Sequence, residues 1–389
     1  MTIYPAAFAI LVPVSAFLTT KLFLLFSGKD PLPVKYDAID GLRGYLAVFV
    51  FLHHSAIWYY YVQKKIWKDP DSQVFDHFGK TSVSLFFMIT AFLFFSRLIE
   101  TRKDPVDWPR LFLSRFTRLY PVYLLSMLVV LVFAGVLTHW KLHDSKSDIA
   151  KEIFEWTTFN FSGDRPVNGL HQMYFINAGV TWSLIYEWLF YFSLPLFTLL
   201  FTRKNASPLV IGFSVLLIAL ILWKVPIELI HIYSFGGGIA AAFLLRMEKF
   251  RVLLARNIFS FAALILLIAM ILIFHSPNSI LPIIITSFVF LIIAGGNSLF
   301  GFLTLPVSKM LGKISYPLYL LHAIILFITI EYFPGANYVS HLSIAHYYLL
   351  ISGTCIVSVL LCLLVHYTIE LPVMNSTGRI LSYFRKKRL

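Results

Sequence analysis

Residues 39–54 read IDGLRGYLAVFVFLHH: an acid and a base head an apolar run that closes on two histidines. The run continues to about residue 62, close to the ~20 residues that cross ~30 Å of hydrocarbon at 1.5 Å per residue. A charged or titratable side chain at that depth costs at least ~2.5–3.5 kcal/mol, so each one needs a reason to be there. Similar apolar runs recur along the whole chain, at about 5–27, 41–62, 79–98, 117–139, 180–202, 208–224, 226–246, 256–275, 278–297, 314–332 and 346–369. Composition agrees: of 389 residues, 59% are hydrophobic and 13% charged, where a soluble domain has about 25% charged. The expectation is an all-α polytopic membrane protein with about 11 transmembrane helices in one bundle.

The first run has no small-residue cleavage site after a basic start and carries Lys21 inside it, so it reads as an uncleaved helix. With the N-terminus outside and the C-terminus cytoplasmic, 22 of the 32 Lys and Arg residues fall in inner loops and 9 in outer loops, Lys21 lying within the first run. The formal net charge of +13 is therefore mostly topology, and no nucleic-acid partner is expected. Cys355 and Cys362 lie seven residues apart in the last run, too far along one helix for a disulfide and without partners for a metal site. No P-loop, GxGxxG or metal-ligand cluster stands out, and the longest loop, 140–179, falls on the outer side. A single membrane domain over 1–389 follows, with an extra helix at about 5–27, a core at about 37–372 and a basic cytoplasmic tail at 373–389.

At 100° per residue, the eleven-residue step from Arg43 to His54 closes to within about 20°, and the step from Asp40 to within about 40°. Asp40, Arg43 and His54 share a stripe, while His53 points about 80° away from Arg43. The topology sets Arg43 near the inner surface and His54 about 16 Å deeper, near mid-membrane, where a neutral imidazole is suited to act as a general base. A buried histidine satisfied by a backbone carbonyl is the plainer reading. Four more stretches carry polar groups into apolar runs. FLSRFTRLYPVY, 112–123, sets Arg115 and Arg118 on one helical face at the inner entry of a span, suited to phosphate or to positive-inside anchoring. TWSLIYEWLFY, 181–191, carries Glu187 about two turns below the outer surface; function or a buried ion pair accounts for it. ISYPLYLLH, 314–322, aligns Ser315, Tyr319 and His322, either as site residues or as packing groups. HYTIELP, 366–372, pairs His366 with Glu370 before Pro372, which is expected to stop the helix.

Together these stretches resemble the membrane-bound acyltransferase 3 family, polysaccharide O-acetyltransferase type, over about 37–372: IDGLRG then HH, the arginine pair before Tyr120–Pro121, WSLIYEW, SYPLYLLH and IELP, in that order. The resemblance implies transfer of an acyl group, usually acetyl, from cytoplasmic acetyl-CoA to a hydroxyl on a surface polysaccharide or its lipid-linked precursor. It implies His54 as general base or transient acyl acceptor, with Arg43, Asp40, Glu187 and His322 beside it in catalysis. By the same resemblance Arg115, Arg118, Tyr120, Ser315, Tyr319 and Glu370 contact the coenzyme, and no metal is needed. SVSLFFMITAF, 82–92, departs from the family by lacking its usual Ser-Gly, with Thr90 and Ala91 in that region. No soluble esterase-like domain is expected after Pro372. The 140–179 loop, with Trp140, Trp156, Asp164, Arg165, His171 and Tyr174, reads either as a sugar-contacting surface or as a solvated connector. The expected location is a bacterial inner membrane, and the rival function is a transporter or flippase of a lipid-linked glycan.

Overall fold

The computed structural model describes residues 9–29, 31–32, 35–100, 106–159, 161, 165–201 and 207–386, without the side chains of 200 and 201. Arg203, Lys204 and Asp164 of the sequence reading lie outside the described residues. Among the described residues every regular element is helical, as backbone that must satisfy its own polar groups in hydrocarbon requires. Each apolar run coincides with a helix: α1 Leu11–Ser27, α2 Asp37–Lys64, α3 Gln73–Glu100, α4 Trp108–Leu137, then α5 Lys146–Thr157 within the 140–179 loop, α6 Trp182–Phe201, α7 Pro208–Lys224, α8 Leu229–Leu244, α9 Asn257–Ile273 and α10 Ile280–Ala294. The remaining long elements are α11 Pro306–Lys313, α12 Ser315–Tyr332, α13 Ile344–Val365 and α14 Leu371–Lys386.

Local chemistry sets several ends. Asp107 accepts from the backbone N–H of Arg110 at 3.2 Å to cap α4, and Gly28, at φ 61°, closes α1 in the left-handed conformation. Length and hydropathy qualify four helices as membrane-crossing: α3, α4, α12 and the continuous stretch Ile344–Lys386. A fifth is reached if α8 and the short helix Glu248–Leu254, bent by 115° against each other, form one broken span. Among the described residues α1, α7, α9 and α10 are apolar but shorter, while α2, at 28 residues, is long enough to cross yet carries more charge, so the chain is an integral membrane protein in which the eleven runs are helical.

The expected stop at Pro372 does not occur. Residues His366–Glu370 form a π-helical turn, and the helix runs on through the proline to Lys386. A π-turn has already broken the i→i−4 ladder, so the N–H that proline lacks is not missed there. The basic tail is thus helical as far as Lys386, forming α14.

The described residues form two compact units, one of residues 1–95 with 229–362, the other of 96–228 with 363–389. In the first unit α2 is the central element, crossed by α11 at backbone distance. A Cβ on Gly41 would overlap the Leu303 carbonyl, one on Gly44 would meet Leu311, and one on Gly312 would overlap the Asp40 carbonyl. The two glycines of IDGLRG are therefore the floor of a helix crossing, where no side chain fits. In the second unit α14 lies against α4, tied by Thr117 to Thr377 at 2.7 Å and by Arg385 to Asp107 at 2.7 Å. Cys355 and Cys362 are buried free thiols.

Candidate active site

The first unit brings together two residues 268 positions apart in sequence: the Nε2 of His322 lies 3.0 Å from the Nδ1 of His54. Both rings hang from helices whose backbone fixes them. His322 Nδ1 is 3.0 Å from the Leu318 carbonyl oxygen, and His54 Nδ1 is 3.1 Å from that of Val50. A carbonyl can only accept, so in the neutral pair Nδ1 of His322 carries its proton and donates to Leu318, leaving Nε2 as an acceptor. The Nδ1–H of His54 then points at two acceptors, the Val50 carbonyl and the His322 Nε2. The lone pair of His54 is left on Nε2. That is the arrangement of a general base backed by an orienting acceptor, with a histidine in the backing position.

The surroundings are selective. Of the twenty residues from Arg43 to Val62 only Arg43, Phe49, His54 and Tyr61 are not buried. Phe49 stacks on Phe78 at 4.7 Å; the other three fall within about 20° of one another around the helix. The sequence stripe through Arg43 and His54 is thus the accessible line of an otherwise enclosed helix, and His322 behind it is wholly buried. His53, as its angle foretold, is apart: its Nδ1 donates to the Phe75 carbonyl at 2.8 Å, and Gly79 makes room for its ring.

Asp40 and Arg43 face each other at 3.8 Å, one helical turn apart. Arg43 lies about 16 Å and Asp40 about 21 Å along the helix from His54, and the hydrogen bonds at the His54 ring are to Val50 and His322. Next to them Lys309 of α11, itself buried, pairs with Asp37 at 3.2 Å. Ser315 is a helix-start residue, its hydroxyl donating to the Gly312 carbonyl at 2.8 Å. Tyr319 flanks His322, ring centroids 6.2 Å apart, and meets Phe86 edge-on at 6.0 Å.

The second unit holds the remaining predicted residues. Arg115 and Arg118, one turn apart on α4, are partly buried. Arg115 hydrogen-bonds the hydroxyl of Tyr191, which in turn donates to Glu187 Oε2 at 3.3 Å. Glu187 therefore sits at the end of a hydrogen-bonded Arg–Tyr–Glu chain. Tyr191 was legible as the i+4 neighbour of Glu187, yet spacing alone could not connect it to Arg115. Tyr120 stacks on Phe116 at 4.6 Å and packs against Phe159 at 5.5 Å. Glu370 is buried and holds His366 Nδ1 at 2.6 Å. In the 140–179 loop Trp156 is fully buried, its carbonyl accepting from Tyr123 at 2.6 Å and its Nε1 donating to the Arg165 carbonyl at 3.2 Å. It is a core residue of that loop, unsuited to stack on a sugar.

Residues 36–364 match the family model for acyltransferase 3, described as an acyltransferase domain. The chain belongs to the acyltransferase 3 family. The match begins at the residue before α2 and takes in both histidines, the arginine pair and Glu187. Comparison with curated proteins and with solved structures finds no match. The protein is a membrane acyltransferase, and the histidine pair on α2 and α12 lies within its family domain.

Proposed function

We propose that this acyltransferase is a transmembrane O-acetyltransferase of a bacterial inner membrane, moving acetyl from cytoplasmic acetyl-CoA to a hydroxyl of a surface polysaccharide or its lipid-linked precursor. The observation that carries the reading is the His54–His322 contact. It leaves one imidazole with a free Nε2 on an accessible line of a buried helix, which a base for a hydroxyl acceptor needs and a packing histidine does not. The acceptor O–H gives its proton to His54 Nε2 as its oxygen attacks the thioester carbon. The tetrahedral intermediate collapses with loss of the coenzyme thiolate, and that sulfur recovers the proton from His54. As His54 becomes cationic its Nδ1–H bond to His322 turns charge-assisted and strengthens, so His322 stabilises the charge without taking the proton. The same nitrogen would accept the acetyl group first in a two-step route.

Arg115 and Arg118 suit the phosphates of the coenzyme by chemistry, as planar fork donors that bind phosphate bidentately. Tyr191 and Glu187 fix the Arg115 guanidinium beforehand. Tyr120, Ser315, Tyr319 and Glu370 remain candidate coenzyme contacts by resemblance, and Asp40 and Arg43 candidate contributors at the inner end of α2. About eleven spans with the N-terminus outside, acting as one membrane domain, follow from the apolar runs and the Lys and Arg distribution.

Purified protein in lipid, supplied with acetyl-CoA and an extract of the host's lipid-linked glycans, is expected to release free coenzyme A in proportion to acetyl incorporated into glycan. Glycan movement across the bilayer with no coenzyme A release would replace this reading with that of a flippase.

A further inference from the structure

The accessible line of α2 does not stop at His54. Seven residues on, about 10 Å further along the helix and within about 20° of the same direction, it reaches Tyr61. Around it the chain reads IWYYYVQKKIW, 57–67, five aromatic residues in eleven. Trp58 is wholly buried and stands perpendicular to both Tyr61 and Trp67, with centroids 5.5 and 5.1 Å away. Tyr61 and Trp67 meet each other at 5.8 Å and 67°. Trp58 is backed by Phe327 of α12 at 6.2 Å, the helix that also carries His322. The buried indole thus acts as a strut that holds the two outer rings, both partly accessible, in a fixed corner.

An interfacial aromatic belt does not account for this corner. Belt residues are anchors that turn outward to the headgroups, whereas Tyr61 lies on the line it shares with His54 and Arg43, and Trp58 has no exposed surface. Rigid aromatic faces pack well against the C–H faces of a pyranose. Lys65, exposed at the left-handed C-cap of α2, stands over the Tyr61 ring at 5.4 Å and adds a mobile donor at the same place.

We propose that Tyr61 and Trp67 form the platform that holds a sugar ring of the acceptor, so that a hydroxyl further along the glycan reaches His54 down the α2 line. This rests on the acetyl-transfer reading above and moves the acceptor contact from the outer loop to the end of α2. The test is the initial rate of label transfer from acetyl-labelled acetyl-CoA against the concentration of host lipid-linked glycan extract, for wild type, Tyr61→Ala, Trp67→Ala and Tyr61→Phe, each checked for monodispersity and for acetyl-CoA binding by equilibrium dialysis. The expected result is a half-saturating extract concentration raised about tenfold in each alanine variant, near the wild-type value in Tyr61→Phe, and unchanged acetyl-CoA binding in all. Wild-type transfer with unaltered half-saturation in both alanine variants overturns the platform alone. Loss of acetyl-CoA binding in both alanine variants overturns it too, by making the corner structural. Absence of transfer by wild type overturns the acetyl-transfer reading and the platform with it.

Discussion

Replacing His322 with alanine separates a positioning histidine from one that does chemistry. In the native pair the His54 Nδ1–H has two acceptors, Val50 O at 3.1 Å and His322 Nε2 at 3.0 Å. Alanine removes the second and spares the first, so His54 keeps its tautomer and its free Nε2. What is lost is one hydrogen bond to a charged imidazolium, worth about 1.5–3 kcal/mol, hence a fall in kcat of roughly 10- to 150-fold at 1.36 kcal/mol per decade. KM for acetyl-CoA should change little, because the interaction strengthens only as charge develops on His54. Glutamine, which keeps an acceptor oxygen in the same space, is expected to restore part of the rate. The assay is initial-rate release of coenzyme A in the presence of acceptor extract, with thermal midpoints to correct for the cavity left by a wholly buried ring. A folded His322→Ala enzyme with wild-type kcat would refute the backing role, and one as inactive as His54→Ala would assign His322 to the chemistry itself.

Two further outcomes are expected. Gly312→Val sets side-chain atoms against the Asp40 carbonyl, backbone that cannot yield; it should lower the thermal midpoint by an amount corresponding to more than the ~1–3 kcal/mol typical of overpacking, and an unchanged midpoint would rule out the close crossing. Arg115→Lys keeps the charge but loses the planar fork and its hold on Tyr191, so acetyl-CoA should bind several-fold more weakly in equilibrium dialysis at low salt, with kcat at saturation largely kept; undiminished binding in Arg115→Lys and Arg118→Lys together removes the arginine pair from the coenzyme site.

The helices were legible because each apolar run is long and bounded by polar residues. The α2 stripe was legible too, since angular position is fixed by residue count once a stretch is helical. Contacts between distant segments were not. Nothing in spacing joins His54 to His322 across 268 residues, whereas Arg43 and Asp40 share the His54 stripe by residue count alone. The glycines of IDGLRG carry no spacing signal of their own, and only the approach of Leu303 and of α11 reveals that they make room for a helix crossing. Pro372 was read by its usual effect, and the π-turn beneath it, which has no composition signal of its own, cancels that effect. Trp156 is attractive as a sugar contact on composition, yet it is wholly buried, and burial decides.

The most direct test of the account is single-site: acetyl transfer from labelled acetyl-CoA to the host's lipid-linked glycans by protein in lipid, wild type against His54→Ala, with acetyl-CoA binding measured on both. Wild type should move label to glycan, and His54→Ala should bind acetyl-CoA as wild type does while transferring at least ~100-fold more slowly, the lower range for loss of a general base. Equal transfer by the two proteins would contradict the account, since the base would then lie elsewhere.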